Sequence, residues 1–447
     1  MFTTYMSDLL KNLGRASIVL LFALGVFLGA YYYFYPGGDG YTPPALADIP
    51  FVQITPLESG HSRVVEVPLI QQGMFLVDGT HGNDFTQEEL ATLVSRVVGR
   101  GYSVEIIGDP GFFGAFRIMD ERSRLPLLEE KLRLAGSFAV VLPDEPFTRA
   151  EVDLVEKFVD KGGRLLLVAD PTRFHRIDNL AERFGISFQP GYLYDSTDYE
   201  INFQNIKISD FREDQITRDL GSIALYVTAA LESTGPALAF TSPTTRSTLT
   251  EDRTAFSPLV RGAKDGVVAI GDLTFMIPPR STVLDNDTLI SNLADYLTSG
   301  EREFELTDYP YFLRDEVDVL LGRSSLLDAA ALLREDLSTF RIGSSIKDVE
   351  DVTKDTVFLG LYEDSSDVAQ YLEVAGVQVD ENLRIPFTTD IQRERTGMIL
   401  LHTGKERNVL VVLADSQATL RETVRLLGSG LFRQGLLGDF VGVYPNP

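Results

Sequence analysis

MFLVDGTHGN, residues 74–83, decides the fold. The apolar run Met74-Phe-Leu-Val77 stops at Asp78, and Gly79-Thr-His-Gly-Asn83 turns away from it. Thr86 follows, with Glu89 three residues later, the spacing of a capping box at the start of a helix. The stretch therefore predicts a strand, a polar glycine-bearing loop and a helix over Thr86–Arg100. In an open α/β sheet such a loop lies at the carboxyl end of its strand, where ligands usually bind.

Downstream the same alternation continues. Strand Tyr102–Ile107 precedes a helical stretch over Ser123–Leu134 and strand Phe138–Leu142. Thr148 and Glu151 form a second capping box, opening a helix that runs to Asp160. Gly162-Gly163 closes that helix, and strand Arg164–Ala169 ends at Asp170-Pro171. Runs such as FAVVL and LLLVA suit strands buried on both faces. Helix Asp178–Gly185, a β-rich stretch, strand Val267–Ile270 and a helix capped at Asp285-Asn286 complete the unit. The expected fold class is α/β, a parallel sheet with helices on both faces, over residues 51–302.

Residues 303–447 change character. They read as a helix over Ser325–Leu337, strand Val357–Tyr362, helix Ser365–Val374, a hairpin-like pair (Thr396–Thr403 and Asn408–Ala414) and helix Ala418–Leu427. This pattern predicts a small α+β domain, similar on pattern alone to ferredoxin-like modules of surface and polysaccharide-export proteins.

At the other end, residues 16–35 carry no charge and are long enough for a bilayer core of about 30 Å. Lys11 and Arg15 precede the run and Asp39 and Asp48 follow it. The positive-inside bias then predicts a single-pass cell-membrane anchor, with residues 1–15 cytoplasmic and the bulk extracytoplasmic. Tyr-Tyr-Tyr-Phe-Tyr at its end is a poor cleavage site for a signal peptide. Residues 36–50, rich in proline and glycine, read as a spacer.

The 447-residue chain carries a net charge of −25, which argues against nucleic acid as a partner. It has no cysteine, which excludes a disulfide framework, a thiolate metal site and a cysteine nucleophile. With four histidines, His61, His81, His175 and His402, a multi-histidine zinc site is not expected, and no cofactor or metal is assigned.

The blocks DGTHGNDFTQEEL, PFTRAEVDLVEKFVDKGGRLLLVADP, NLAERFGISF, and IGDLTFM with DNDTLISNLADYL resemble prokaryotic domains of unknown function with a degenerate class I glutamine-amidotransferase-like fold. They are similar to auxiliary proteins of gliding-motility-type ABC transporters, over about residues 70–300. The resemblance implies a flavodoxin-like sheet, an extracytoplasmic membrane-tethered domain, and an accessory role without known catalysis. Amidotransferase chemistry needs an activated cysteine on a strand-to-helix elbow; here no cysteine exists and no G-x-S-x-G replaces it.

Asp78, His81, Asn83, Asp170 and Asp272 all follow predicted strands of one sheet. If those strands are parallel, the five groups project from one edge, and a crevice there suits a hydroxyl-rich ligand or a hard cation. The competing reading is that Asp and Asn after strands cap helices and brace turns. His175, just past Asp170, has no evident nucleophile to serve. The expected function is a non-catalytic membrane-anchored accessory protein whose partners are other membrane or envelope subunits. The alternatives are an extracytoplasmic binding module for a glycan or small polar ligand and, last, a hydrolase.

Overall fold

The computed structural model describes residues 2–34, 68–71, 73–111, 115–249, 255–313, 316–340, 342–404 and 407–445. The expected spacer at 36–50 and His61 lie outside the described residues. The chain divides into two units, Met1–Glu58 and Ser59–Pro447.

In the first unit, helix α1 spans Phe2–Phe34, and its part Leu13–Phe34 is long and apolar enough to cross a membrane. The side chains of that part are exposed.

In the second unit, the opening run forms β1 (Gly73–Asp78), followed by α2 (Ala91–Val98) and β2 (Tyr102–Ile107). Then come α3 (Glu121–Leu134), β3 (Ser137–Val141), α4 (Arg149–Asp160), β4 (Arg164–Val168) and α5 (Asp178–Arg183). Strands β5 (Asp210–Phe211), β6 (Ala237–Phe240), β7 (Leu259–Arg261) and β8 (Val267–Ile270) follow, and α6 (Asn286–Thr298) closes the region. The eight strands form one sheet in the order β2-β1-β3-β4-β8-β7-β6-β5. The first five are parallel to one another, and the last three extend the sheet antiparallel.

Alternation along β1 explains why the sheet is covered twice. Phe75 and Val77 enter a core with Leu93 and Val97 of α2 and Leu289, Ile290 and Leu293 of α6. Leu76 points the other way, into a core with Leu128 and Leu132 of α3, Val152 and Val155 of α4, and Leu180 of α5. A period of two with both sets apolar is what a doubly covered strand requires.

The helix after β1 is shorter than its capping box suggested. Thr86 N does donate to Glu89 Oε2 at 2.8 Å, but residues 87–90 form turns and the helix starts at Ala91. Glu89 is also ion-paired to Arg173, so its carboxylate serves a long-range contact as well as the local one. The second capping box is complete: Glu151 N donates to Thr148 Oγ1, and Thr148 N donates to Glu151 Oε2 at 2.7 Å.

The β-rich stretch between α5 and β8 closes over the carboxyl edge of the sheet. It contains short antiparallel ladders, such as Asn205–Ile208 with Ile223–Tyr226. Ala229 N donates to Gly271 O at 2.8 Å. A Cβ at Gly271 would stand 2.4 Å from Ala229 O, so only glycine allows this approach.

Residues 316–445 correct the α+β expectation. Strands β9 (Glu316–Leu321), β10 (Gly343–Lys347), β11 (Thr356–Leu361), β12 (Thr396–Thr403), β13 (Asn408–Ala414) and β14 (Val441–Pro445) form a sheet ordered β10-β9-β11-β13-β12-β14. Four of these strands, β10, β9, β11 and β13, are mutually parallel. Helices α7 (Leu327–Thr339) and α9 (Gln417–Ser429) pack on one face, and α8 (Ala369–Val374) packs on the other. This is α/β pairing, and the expectation failed because β9 and β10 were not read as strands. The hairpin of β12 and β13 is present as expected.

The two sheets are joined by a polar hinge. Arg302 Nη1 donates to Leu132 O, to Arg133 O at 2.7 Å and to Ala135 O at 2.8 Å, capping the carboxyl end of α3. Lys161 bridges Glu305 at 2.7 Å and Asp308 at 3.4 Å.

Candidate functional site

The site is built at the carboxyl ends of β1, β4 and β8, which run parallel, so one edge of the sheet does carry all five sequence-predicted groups. They fall into two sets. Strands β4 and β8 are neighbours with Val168 opposite Ile270, which places Asp170 and Asp272 side by side, each two residues further on. β1 is separated from β4 by β3, so Asp78, His81 and Asn83 form a set of their own.

The first set is a closed network. Asp78 Oδ1 accepts from Thr80 N at 3.1 Å and from Thr80 Oγ1 at 2.7 Å. Asp78 Oδ2 lies 2.8 Å from His81 Nδ1. On the far side of the ring, His81 Nε2 faces Glu151 Oε2 at 3.5 Å, an ion-pair separation rather than a hydrogen bond. Glu151 in turn accepts from Arg124 Nε at 2.6 Å. The imidazole stacks on Phe147, with centroids 3.7 Å apart and planes inclined by 19°. Asn83 Oδ1 accepts from His81 N at 3.1 Å, and Asn83 Nδ2 donates to Val141 O at 2.8 Å, tying the loop to β3.

Acidic and basic groups alternate along this row: two carboxylates with an imidazole and a guanidinium. Burial by itself would raise the Asp78 carboxyl, but the His81 charge and the Thr80 and His81 hydrogen bonds outweigh it and hold it below its usual value. Burial would likewise lower His81, and the Asp78 charge outweighs it, so the imidazole titrates above its ordinary value. Glu151, opposed by burial and favoured by His81, Arg124 and the Thr148 backbone, is held far below the usual carboxylate range.

The second set is different. Asp170 Oδ1 accepts from Thr172 N at 2.9 Å, and Thr274 Oγ1 reaches Asp170 Oδ2 at 3.2 Å. Asp272 accepts from Tyr226 N and Thr274 N, each at 2.6 Å. Burial, with the Asp170 charge next to it, raises the Asp272 carboxyl well above its ordinary value. Here one carboxylate resists the ionisation of the other.

All five predicted residues are 0% exposed. The open crevice expected at this edge is therefore filled, by the loop itself and by the segment that carries Tyr226. The arrangement braces turns and stitches strand ends together, which is the competing reading of the same residues. His175 feels the charge of Asp170 from the second set, which opposes the effect of its burial. Its ring lies 6.0 Å from Phe188, Nδ1 is buried without a hydrogen-bond partner among the described residues, and burial lowers its pKa. His402 is half-buried near the end of β12, 5.1 Å from the Tyr371 ring.

Sequence reasoning missed Arg124 and the second role of Glu151, seen only as a capping residue. It also missed Glu200 and Tyr226 in the covering segment. Among the described residues, Tyr226 Oη and Glu200 Oε2 are buried without hydrogen-bond partners, and burial raises the pKa of both. The Arg280 guanidinium lies 5.2 Å over the Tyr226 ring. Finally, β3 ends in a left-handed residue, Leu142, with φ of 46°. A strained residue after a strand is the geometry of a nucleophile elbow, but this position presents a fully buried alkyl side chain.

No protein family's sequence profile matches this chain, and no curated protein matches it. Among solved structures, the chain is similar to the mmIFT52 N-terminal domain, with a TM-score of 0.39 and 17% identity over 52% of this chain and 100% of that one. It is similar to a ThuA-like protein from Parabacteroides merdae, with a TM-score of 0.32 and 8% identity over 54% of this chain and 94% of that one. For CpGH84D the TM-score is 0.22 at 17% identity, over 30% of this chain and 21% of that one.

Proposed function

We propose that this protein is a non-catalytic, single-pass membrane-anchored accessory subunit of an envelope or ABC-transporter-type assembly. In this reading its first sheet is a degenerate, flavodoxin-like relative of the glutamine-amidotransferase folds. The observation that carries the reading is the occupation of the carboxyl edge by the protein's own groups. Asp78, His81, Asn83, Asp170 and Asp272 are fully buried and bonded to protein partners. Chemistry at that edge needs a reacting atom within hydrogen-bond reach of a group that is free to act. The apolar helix Leu13–Phe34 supports the anchor. The acidic surface, with a net charge of −25, favours protein partners over anionic lipid or nucleic acid.

The topology is tested by exploiting the absence of cysteine. Ser196 is exposed, and Ser196→Cys creates a sole thiol on the covering segment. A membrane-impermeant maleimide should label it in intact spheroplasts. Labelling only after lysis would place the bulk of the chain in the cytoplasm and end this reading.

A second reading, a binding module for a small polar ligand, draws on the unpartnered Tyr226 Oη and Glu200 Oε2. A saturable thermal shift with a glycan panel, lost in Glu200→Gln and Tyr226→Phe, would favour it. A flat panel would leave the accessory reading alone.

A further inference from the structure

The edge of the first sheet opposite the buried network holds a cavity of 540 Å³. It lies at the amino ends of β4 and β8, lined by Arg164, Asp160, Lys264, Asp265 and Glu301 with Gly162 and Gly266 among the backbone walls. That volume is in the range of small-molecule sites, about 300–1,000 Å³.

The charges around it divide into committed and uncommitted groups. Lys264 Nζ is held by Asp160 at 2.6 Å and by Glu156 at 2.8 Å. Nearby Arg261 is locked to Asp214 by two bonds of 2.7 Å. Arg164 is different: among the described residues no hydrogen bond or ion pair engages its side chain, and Nε is buried with no partner. Its guanidinium stacks 5.3 Å over the ring of Tyr296. Tyr296 is 1% exposed, and its Oη also has no hydrogen-bond partner among the described residues. On the rim, the carboxylates of Asp265 and Glu301 are exposed, and no hydrogen bond or ion pair engages either among the described residues.

Two glycines in left-handed conformations form part of the lining. Gly266 has φ of +90°, and a Cβ there would come within 3.7 Å of Arg164 Nη1. Gly162 has φ of +88°, and a Cβ there would stand 2.3 Å from Glu301 O. Part of the wall is thus glycine backbone, and Arg164 lines the open volume.

A half-buried guanidinium with free donors is matched by a carboxylate, which it grips through two parallel bonds. Two unpaired carboxylates on the rim oppose a dianion such as phosphate and attract an ammonium group. We propose that this cavity binds a small zwitterion of the amino-acid type, its carboxylate on Arg164 and its ammonium against Asp265 and Glu301. The site is independent of the buried network and of the accessory reading.

The test is calorimetric titration of the full chain in detergent with glycine, L-glutamine and L-lysine, and separately with acetate, each up to about 10 mM. Saturable binding of at least one amino acid, about tenfold tighter than acetate, is expected. Arg164→Gln should abolish it. Asp265→Asn, on an exposed turn where folding is not at stake, should weaken amino-acid binding and leave acetate unchanged. No saturable binding, binding that survives Arg164→Gln in a protein that still melts cooperatively, or acetate binding as tight as the amino acid would each overturn the proposal.

Discussion

Removing the Glu151 carboxylate distinguishes a structural network from a working site. Its side chain is 0% exposed and touches Arg124 at 2.6 Å, His81 at 3.5 Å and the Thr148 backbone at 2.7 Å. In Glu151→Ala the Arg124 guanidinium, whose side chain is 6% exposed, would be left buried without its main partner, and His81 would keep Asp78 but lose the carboxylate facing Nε2. Breaking a buried pair in this way costs about 3–5 kcal/mol. Loss of the capping box at α4 adds about 1 kcal/mol. The two overlap in part, so the expected destabilisation is about 4–5 kcal/mol. At about 2–4 °C per kcal/mol for a region of this size, the transition of the first sheet should fall by roughly 10–20 °C. Glu151→Gln keeps an acceptor and should cost about half as much. Calorimetry and urea melts of the full chain read both. A functional centre behaves oppositely, since relieving its strained polar groups is neutral or stabilising. A loss below about 1 kcal/mol for Glu151→Ala would mean that the network is hydrated and open, and the reasoning would fail.

Three further outcomes are expected. Because the His81 pKa is raised above 6.5, the stability gained from its protonation is complete below that pH and is lost as pH rises through the raised value. Asp78 and Glu151 are lowered, so their contribution is present above 3.8 and 4.5 and fades only in stronger acid. The melting temperature should therefore decline on the alkaline side, and His81→Gln should flatten that limb; an unchanged limb in the variant would exclude His81 as its cause. Arg302→Met removes three carbonyl contacts at the end of α3 and should cost about 2–4 kcal/mol, with new protease cleavage near residues 300–308. Cleavage kinetics identical to the parent would argue against a clamped hinge. Deleting residues 1–58 should release the remainder into the soluble fraction with an unchanged melt, since all four hydrophobic cores of the described residues lie within Ser59–Pro447; an aggregated or unfolded product would refute this.

The sheet was legible because its strands announce themselves twice, by length and by two-sided apolarity. Val267–Ile270 and Tyr102–Ile107 have the expected bounds, and the Thr148–Glu151 box is made as its spacing indicated. β9 and β10 were illegible for opposite reasons. β9 carries Asp318, which is 2% exposed in a central strand, and β10, GSSIK, lies at the sheet edge with little apolar signal. Missing both hid the parallel half of the second sheet. At the candidate site, residue type and strand position located Asp78, His81 and Asp170 on one edge. Burial was not readable, because it depends on a covering segment whose strands are two to four residues long at many points. Arg124 was invisible for a similar reason: its partner Glu151 is 27 residues away and local spacing explained that glutamate already.

The central claim is best tested by extracting the tagged native protein in a mild detergent and identifying what co-purifies by quantitative mass spectrometry. An accessory subunit should bring down integral membrane or envelope partners at a fixed stoichiometry, and the same set should return with an Asp78→Asn or His81→Gln variant that still folds. Recovery of the chain by itself, at every detergent that keeps known complexes intact, would contradict the account.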